Sequence, residues 1–233
     1  MDRKFLLAGA VLAAAIALTV LLNPGITGFA FFLVFNDAPR VGTQYLFEGF
    51  EGMDLANSTE WVVESVHGGG IAIAGDAAHE GSAGMRFEGN GNGFSRVYTE
   101  VVGDEVDAFV FVRTSEMTDR LDAAFQLRSQ NVVVAEVNIH GREIECLRRD
   151  NARGPKLRPF EHLPENNTWY GFRIKYSKPA NLVSYYLYNA DHQLIESIAD
   201  RQAYNQLSID AVTFEMNEST STTDWDSLDV FVA

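Results

Sequence analysis

From Pro39 onward, hydrophobic and polar residues alternate in short runs separated by clusters of Gly, Asn and Asp. Thirteen stretches read as strands: 44–50, 70–75, 83–89, 95–101, 107–113, 123–128, 132–139, 142–148, 169–176, 182–188, 193–199, 208–216 and 228–232. They are rich in Val, Ile, Phe and Tyr, which suit a pleated, half-buried surface. No stretch carries the 3.6-residue period of an amphipathic helix. Many short strands with regular turn signals predict an all-β sandwich or barrel.

The first 36 residues follow another rule. Phe5 to Asn36 carries no charged side chain. As a helix, Phe5–Leu22 would span roughly 27 Å, close to the apolar thickness of a bilayer. Arg3 and Lys4 precede it and Asp37 is the next charge, so the positive-inside rule puts the N-terminus in the cytoplasm and the bulk of the chain outside. Asn23-Pro24-Gly25 ends or kinks such a helix. The apolar run 26–35 is too short to cross again. It extends the anchor, lies at the interface, or pairs as a strand with another subunit. Two outcomes stay open: a retained anchor, or a signal cleaved near Gly28-Phe29-Ala30. The expected organisation is an anchor over 1–36, a linker over 37–43 and one domain over 44–233.

Several stretches resemble concanavalin A-like, laminin-G-like jelly rolls. "YLFEGFEG" is similar to their first strand and "HEGSAGMRFEG" to a second segment. "NNTWYGFRIKYS" followed by "VSYYLYNADHQLIES" resembles their Trp-Tyr strand and the strand–turn–strand after it, with His192 where a Gly is common. "WDSLDVFV" looks like the closing strand. The resemblance covers roughly residues 44–233. It implies a two-sheet antiparallel jelly-roll sandwich behind one N-terminal transmembrane helix. Such domains often bind glycans or proteins, and some are glycosidases.

Charge narrows the partners. The 233 residues carry a formal net charge of −14, with 18 Lys and Arg against 32 Asp and Glu. Such a surface repels nucleic acid and anionic headgroups. Cys146 is the only cysteine, so there is no intramolecular disulfide, no cysteine-based zinc cluster and no lipid-attachment Cys after the apolar run. It reads as a small buried apolar residue.

Candidate chemistry is sparse. In "VVVAEVNIHGREIECLRRD", a two-residue His140-Gly141 turn would set Asn138 against Glu143 and Glu136 against Glu145. Val137, Ile139, Ile144 and Cys146 would then point to the core, leaving Glu136, Asn138, Glu143 and Glu145 on one face. Opposed carboxylates need compensation, from a sugar, a Ca²⁺ ion, or an arginine such as Arg128 or Arg173. Trp169 is a candidate sugar-stacking ring. Glu143 and Glu145 are the nearest approach to a glycosidase carboxyl pair, without the family's middle Asp. Carboxylates on the first and last strands, Glu48, Glu51 and Asp54 with Asp224, Asp226 and Asp229, could hold a structural Ca²⁺; Glu48, Glu51, Asp226 and Asp229 are the favoured ligands. The five His are scattered, at 67, 79, 140, 162 and 192, and read as loop or surface residues. "GNGNG" (89–93) reads as a turn. Asn57, Asn166 and Asn217 head glycosylation sequons.

These features favour a membrane-anchored extracytoplasmic binding or structural module for glycans or envelope proteins, without catalysis. Membrane lipid is the partner expected for residues 5–22. The alternatives are an accessory subunit of a larger assembly (complex, filament or virion) held through 5–35, and a glycoside hydrolase.

Overall fold

The computed structural model describes residues 43–67, 69–149, 155–203 and 205–233. The expected anchor over 1–36, and the linker up to residue 42, lie outside the described residues. Among those described, no helix is long and apolar enough to cross a membrane.

Among the described residues fifteen strands follow one another: β1 (Thr43–Glu48), β2 (Trp61–Val66), β3 (Ile71–Ala74), β4 (Gly84–Glu88), β5 (Phe94–Gly103), β6 (Glu105–Thr114), β7 (Asp122–Ser129), β8 (Val132–His140), β9 (Glu143–Arg149), β10 (Pro155–Pro159), β11 (Trp169–Ser177), β12 (Leu182–Asn189), β13 (Leu194–Gln202), β14 (Ile209–Asn217) and β15 (Thr222–Val232). The first sheet runs β13-β12-β11-β6-β15-β4-β3, with β1 also paired to β15. The second runs β10-β9-β8-β7-β14-β5-β2. All strand pairings are antiparallel. This is the two-sheet sandwich that the resemblance implied, one of the two architectures the strand pattern left open.

All thirteen expected strands are present. Two more were not legible in the pattern, β2 and β10, and both lie at sheet edges. In β2 only Trp61 is buried, so no alternation shows. β10 begins and ends in Pro, which an edge tolerates because one side of it has no ladder to complete. The closing strand starts at Thr222, six residues ahead of the expected 228. Its early Asp residues look like loop, but they are held by partners on the outer face.

Alternate residues of both sheets fill one core. Val106, Ala108, Val110 and Val112 of β6 face Val97, Phe125, Val137 and Phe214 of the second sheet within that core. At its centre Phe214 stacks with Phe125 at 5.5 Å and with Trp61 at 6.1 Å, and lies 5.1 Å from Trp225. Cys146 is buried there, as expected. Residues 89–93 link β4 to β5 through a bend at 91–93, with Gly91 and Gly93 at φ 81° and 67°. This is the turn read from "GNGNG".

The β8–β9 hairpin corrects the expected register. His140 faces Glu143 and Asn138 faces Glu145, so the turn is Gly141-Arg142. Gly141 supplies the positive φ, 60°, that the first central position of such a turn wants. The shift is two residues, so the faces are unchanged: Val137, Ile139, Ile144 and Cys146 stay in the core. The expected opposition of Glu136 and Glu145 does not occur. In the β12–β13 turn, His192 has φ 58° where the resemblance put a Gly.

Candidate functional site

The outer face of the second sheet carries a row of hydrogen-bonding side chains, built strand by strand. On β5, Arg96, Tyr98 and Glu100 alternate with core residues Val97 and Val101. On β14, Thr213, Glu215 and Asn217 alternate with Val212, Phe214 and Met216. On β7, Asp122, Gln126 and Arg128 do the same against Phe125 and Leu127, and on β8 Glu136 and Asn138 against Ala135, Val137 and Ile139. Strand registry then sets Arg96 opposite both Glu64 and Glu215, and Gln126 opposite both Thr213 and Glu136.

The side chains bond across these rows. Arg96 Nε donates to Glu215 Oε2 at 2.6 Å and its Nη1 to Glu64 Oε2 at 3.2 Å. Arg128 Nη1 donates to Gln126 Oε1 at 2.7 Å, and Gln126 Nε2 donates to Glu136 Oε2 at 3.0 Å. Asn217 Nδ2 donates to Glu215 Oε1 at 2.9 Å. The network is packed tightly enough that Gln126 is 4 %, Asn138 3 % and Thr213 0 % exposed, although all three lie on an outer face. Two buried polar atoms in it have no partner, Asn138 Oδ1 and Thr213 Oγ1. Burial pushes Glu136 up to about 7, helped by the neighbouring Asp122 carboxylate. Asp122 and Glu145 are also raised, chiefly by burial.

Two hollows open on this face. One, of about 360 Å³, is lined by Glu64, Arg96, Tyr98, Arg128, Asp210 and Thr213, among others. The other, of about 730 Å³, reaches Asp119, Arg120, Asp122, His140, Asn217 and Glu218.

The outer face of the first sheet is built differently. Its Phe109 and Phe111 are buried beneath the segment around His79 and the β12–β13 turn. His79 stacks on Phe111 at 3.8 Å, and His192 lies 4.8 Å from Phe111 and 6.0 Å from Phe109. His192 Nε2 lies 3.0 Å from Glu80 Oε1. Both His lie in loops, as expected, and their rings also pack on the sheet. Asp226 Oδ2 accepts the backbone N–H groups of His79 and Glu80 at 2.7 and 2.8 Å, and its Oδ1 accepts that of Ser227. Burial still pushes it up to about 7. Arg86 and Arg113 both bond Asp224.

The expected site residues are thus divided. Glu136, Asn138, Glu143 and Glu145 share the outer face of the second sheet. Trp169 is on the first sheet, opposite Arg113, whose guanidinium sits 4.8 Å from its ring, and beside His79 at 5.2 Å. Of the two arginines expected to compensate, Arg128 joins the network. Arg173 is on the other sheet, fully buried, and holds both oxygens of Asp107 at 2.7 Å.

The expected calcium ligands do not gather. β1 and β15 do pair, as the first and last strands were expected to. But Glu48 accepts the Phe50 N–H, Glu51 the Ser82 N–H, and Asp229 the Gln44 amide, while Asp226 serves three N–H groups. Asp54 is taken by Ala56 and Asn57. Among the described residues no three His, Cys, Asp or Glu come together as a metal site requires. Of the sequons, Asn57 and Asn166 are exposed. Asn217 is half-buried and tied to Glu215, with Ser219 3 % exposed.

Sequence reasoning missed Arg96, Gln126, Thr213 and Glu215. Their signal was present: polar side chains at every second position of strands whose other positions are apolar. What could not be read was which strands lie side by side.

No family model matches the chain, and no curated protein matches it in sequence. Solved structures match it in fold. A cellulose-induced protein, Cip1, is 12% identical with a TM-score of 0.59, over 81% of this chain and 98% of that one. A sialidase is 10% identical with a TM-score of 0.56, over 76% of this chain and only 17% of its own length. The botulinum neurotoxin serotype D binding domain is 13% identical with a TM-score of 0.54, over 81% of this chain and 48% of that one. The chain therefore spans under half of the toxin domain and a small part of the sialidase. The shared feature is a β-sandwich fold.

Proposed function

We propose that this chain is a non-catalytic, glycan-binding module, exported and tethered to a membrane by residues 5–22, with its N-terminus on the cytoplasmic side. Its sugar lies on the outer face of the second sheet. The observation that carries this reading is the row from Glu64 to Glu145: planar hydrogen-bonding groups on rigid strands, with Asn138 Oδ1 and Thr213 Oγ1 buried and unpartnered. An unmade buried hydrogen bond costs roughly 1–3 kcal/mol, and a ligand hydroxyl recovers it. Sugar hydroxyls both donate and accept, which suits mixed amide, guanidinium and carboxylate partners. The fold is one that a sialidase, a cellulose-induced protein and a toxin's binding domain also use.

The test is a glycan array and polysaccharide affinity electrophoresis on the full chain in mild detergent. Arg96→Ala and Gln126→Ala are expected to weaken retention about tenfold or more. Trp169→Ala is expected to leave it unchanged, because that ring is on the other sheet. Retention by no polysaccharide, or loss only in Trp169→Ala, overturns the proposal.

A second reading, as a subunit of a larger assembly, draws on edge strand β2. Val62, Val63 and Val66 are 43, 42 and 51 % exposed along it. Such an edge can accept another strand. Defined partners that co-extract with the chain and are lost on Val63→Lys would favour this reading. Hydrolysis, the third reading, predicts turnover that disappears in Glu145→Gln.

A further inference from the structure

We propose that the carboxylate-rich end of this face, formed by Asp122, Glu136, Asn138 and Glu145, is a subsite for the protonated amine of an unacetylated amino sugar. This rests on the glycan reading above and narrows it.

Geometry assembles the subsite from three adjacent strands. Asn138 on β8 faces Glu145 on β9, and Asp122 on β7 faces His140 on β8. Asn138 Nδ2 points to Asp122 Oδ1 at 3.5 Å. That leaves Asn138 Oδ1, on a side chain 3 % exposed, as a buried acceptor without a donor among these carboxyls. Acceptors outnumber donors. Three carboxyls and one amide oxygen share the Gln126, Asn138 and Asn217 amide donors, with the His140 ring and the Arg128 charge nearby. Arg120 is the guanidinium on the rim of the adjoining hollow, and Arg128 is turned toward Gln126 and the Asn131 carbonyl.

Electrostatics select the ligand. Burial, and after it like-charge repulsion, raises Asp122, Glu136 and Glu145, so these carboxyls favour a cation among them. An ammonium group brings three N–H donors, no acceptor and one positive charge. It can meet Asn138 Oδ1 and two carboxylates at once. A neutral hydroxyl brings one donor and no charge. A uronate or sialate carboxylate would be repelled. N-acetylation removes the charge and leaves one N–H. The adjoining hollow of about 730 Å³ gives a sugar ring room beside Asp122 and His140.

The experiment is titration calorimetry of the full chain in mild detergent with three probes: fully deacetylated chitohexaose, its fully N-acetylated form, and cellohexaose. It is run at about pH 6, where an aliphatic amine next to electron-withdrawing groups keeps its proton. The deacetylated probe is expected to bind about tenfold more tightly than the other two, as a charge-assisted hydrogen bond allows. Glu136→Gln, which keeps the shape, is expected to abolish that preference. Glu88→Gln, an equal change of charge on the exposed end of β4, is expected to keep it, which excludes general attraction to an acidic protein. Equal binding of the three probes, or a preference that survives Glu136→Gln, overturns the subsite while leaving the glycan reading in place. Binding by uronate-containing glycans alone overturns the subsite too. If no saccharide of any class binds, the glycan reading falls and takes the subsite with it.

Discussion

Replacing Glu136 by Gln gives a test of the electrostatics that needs no ligand. Glu136 stands at about 7 in the fold, against an ordinary 4.5. Burial is the main cause and the Asp122 carboxylate the next, opposed by the Gln126 hydrogen bond. A folded-state value above the unfolded one means that the native chain holds a proton the unfolded chain has released. Stability therefore falls as pH rises between about 4.5 and about 7, and stays low above that window. At 1.36 kcal/mol per pH unit the ceiling is roughly 3 kcal/mol, and partial exposure of the side chain reduces this to about 1–3 kcal/mol. Gln keeps the size and still accepts from Gln126 Nε2, but never ionises. Glu136→Gln is thus expected to be neutral at about pH 4 and stabilising by about 1–3 kcal/mol at about pH 8. For a domain of this size that raises Tm by roughly 2–10 °C. Thermal and urea unfolding of both proteins at several pH values measures it. A gain that does not depend on pH, or a loss at high pH, would refute the argument.

Other expectations follow from single contacts. Asp107→Asn removes the negative charge paired with the fully buried Arg173 guanidinium and should cost about 3–5 kcal/mol, seen as a Tm drop of roughly ten degrees. Gly93→Ala puts a Cβ 1.9 Å from the Val66 carbonyl oxygen at a φ of 67°, so a loss of roughly 2 kcal/mol or more in urea unfolding is expected. Expressed through a secretory route that N-glycosylates, the chain should carry sugar at Asn57 or Asn166 and none at Asn217; glycopeptide mass spectrometry showing occupancy at Asn217 would contradict the packing described for it.

The sandwich was legible because side-chain alternation is a local signal. Every strand with one buried face announced itself, from Phe94–Gly103 to Ile209–Asn217. β2 and β10 did not, since edge strands need only one ladder and can carry exposed Val or terminal Pro. The site was legible only within its hairpin. Glu136, Asn138 and Glu145 share a face because period-two alternation survives the two-residue change of pairing that a one-residue move of the turn produces. Their relation to Gln126, Arg96 and Glu215 depends on the order β8-β7-β14-β5, which joins residues as far apart as Arg96 and Glu215. No local pattern encodes that order. Trp169 was misjoined for the same reason: its neighbours are fixed by which sheet β11 enters. The partners of the acidic residues were not legible either: β1 and β15 do meet, and Glu48, Glu51, Asp226 and Asp229 each accept nearby N–H groups.

The position of β15 bears on how the chain is made. This strand holds the centre of the first sheet, between β6 and β4, and also receives β1. Gln44 bonds Asp229 across 185 residues of chain. Until residues 222–232 have left the ribosome, β6 and β4 each present an unpaired edge, and the apolar sides of both half-sheets stay open to water. Folding must then close loops of nearly full length, which is slow and exposes the intermediate to aggregation. A chain that cannot close early is also one that stays threadable. The same late keystone that leaves the domain open during synthesis is what finally covers the edges of β6 and β4.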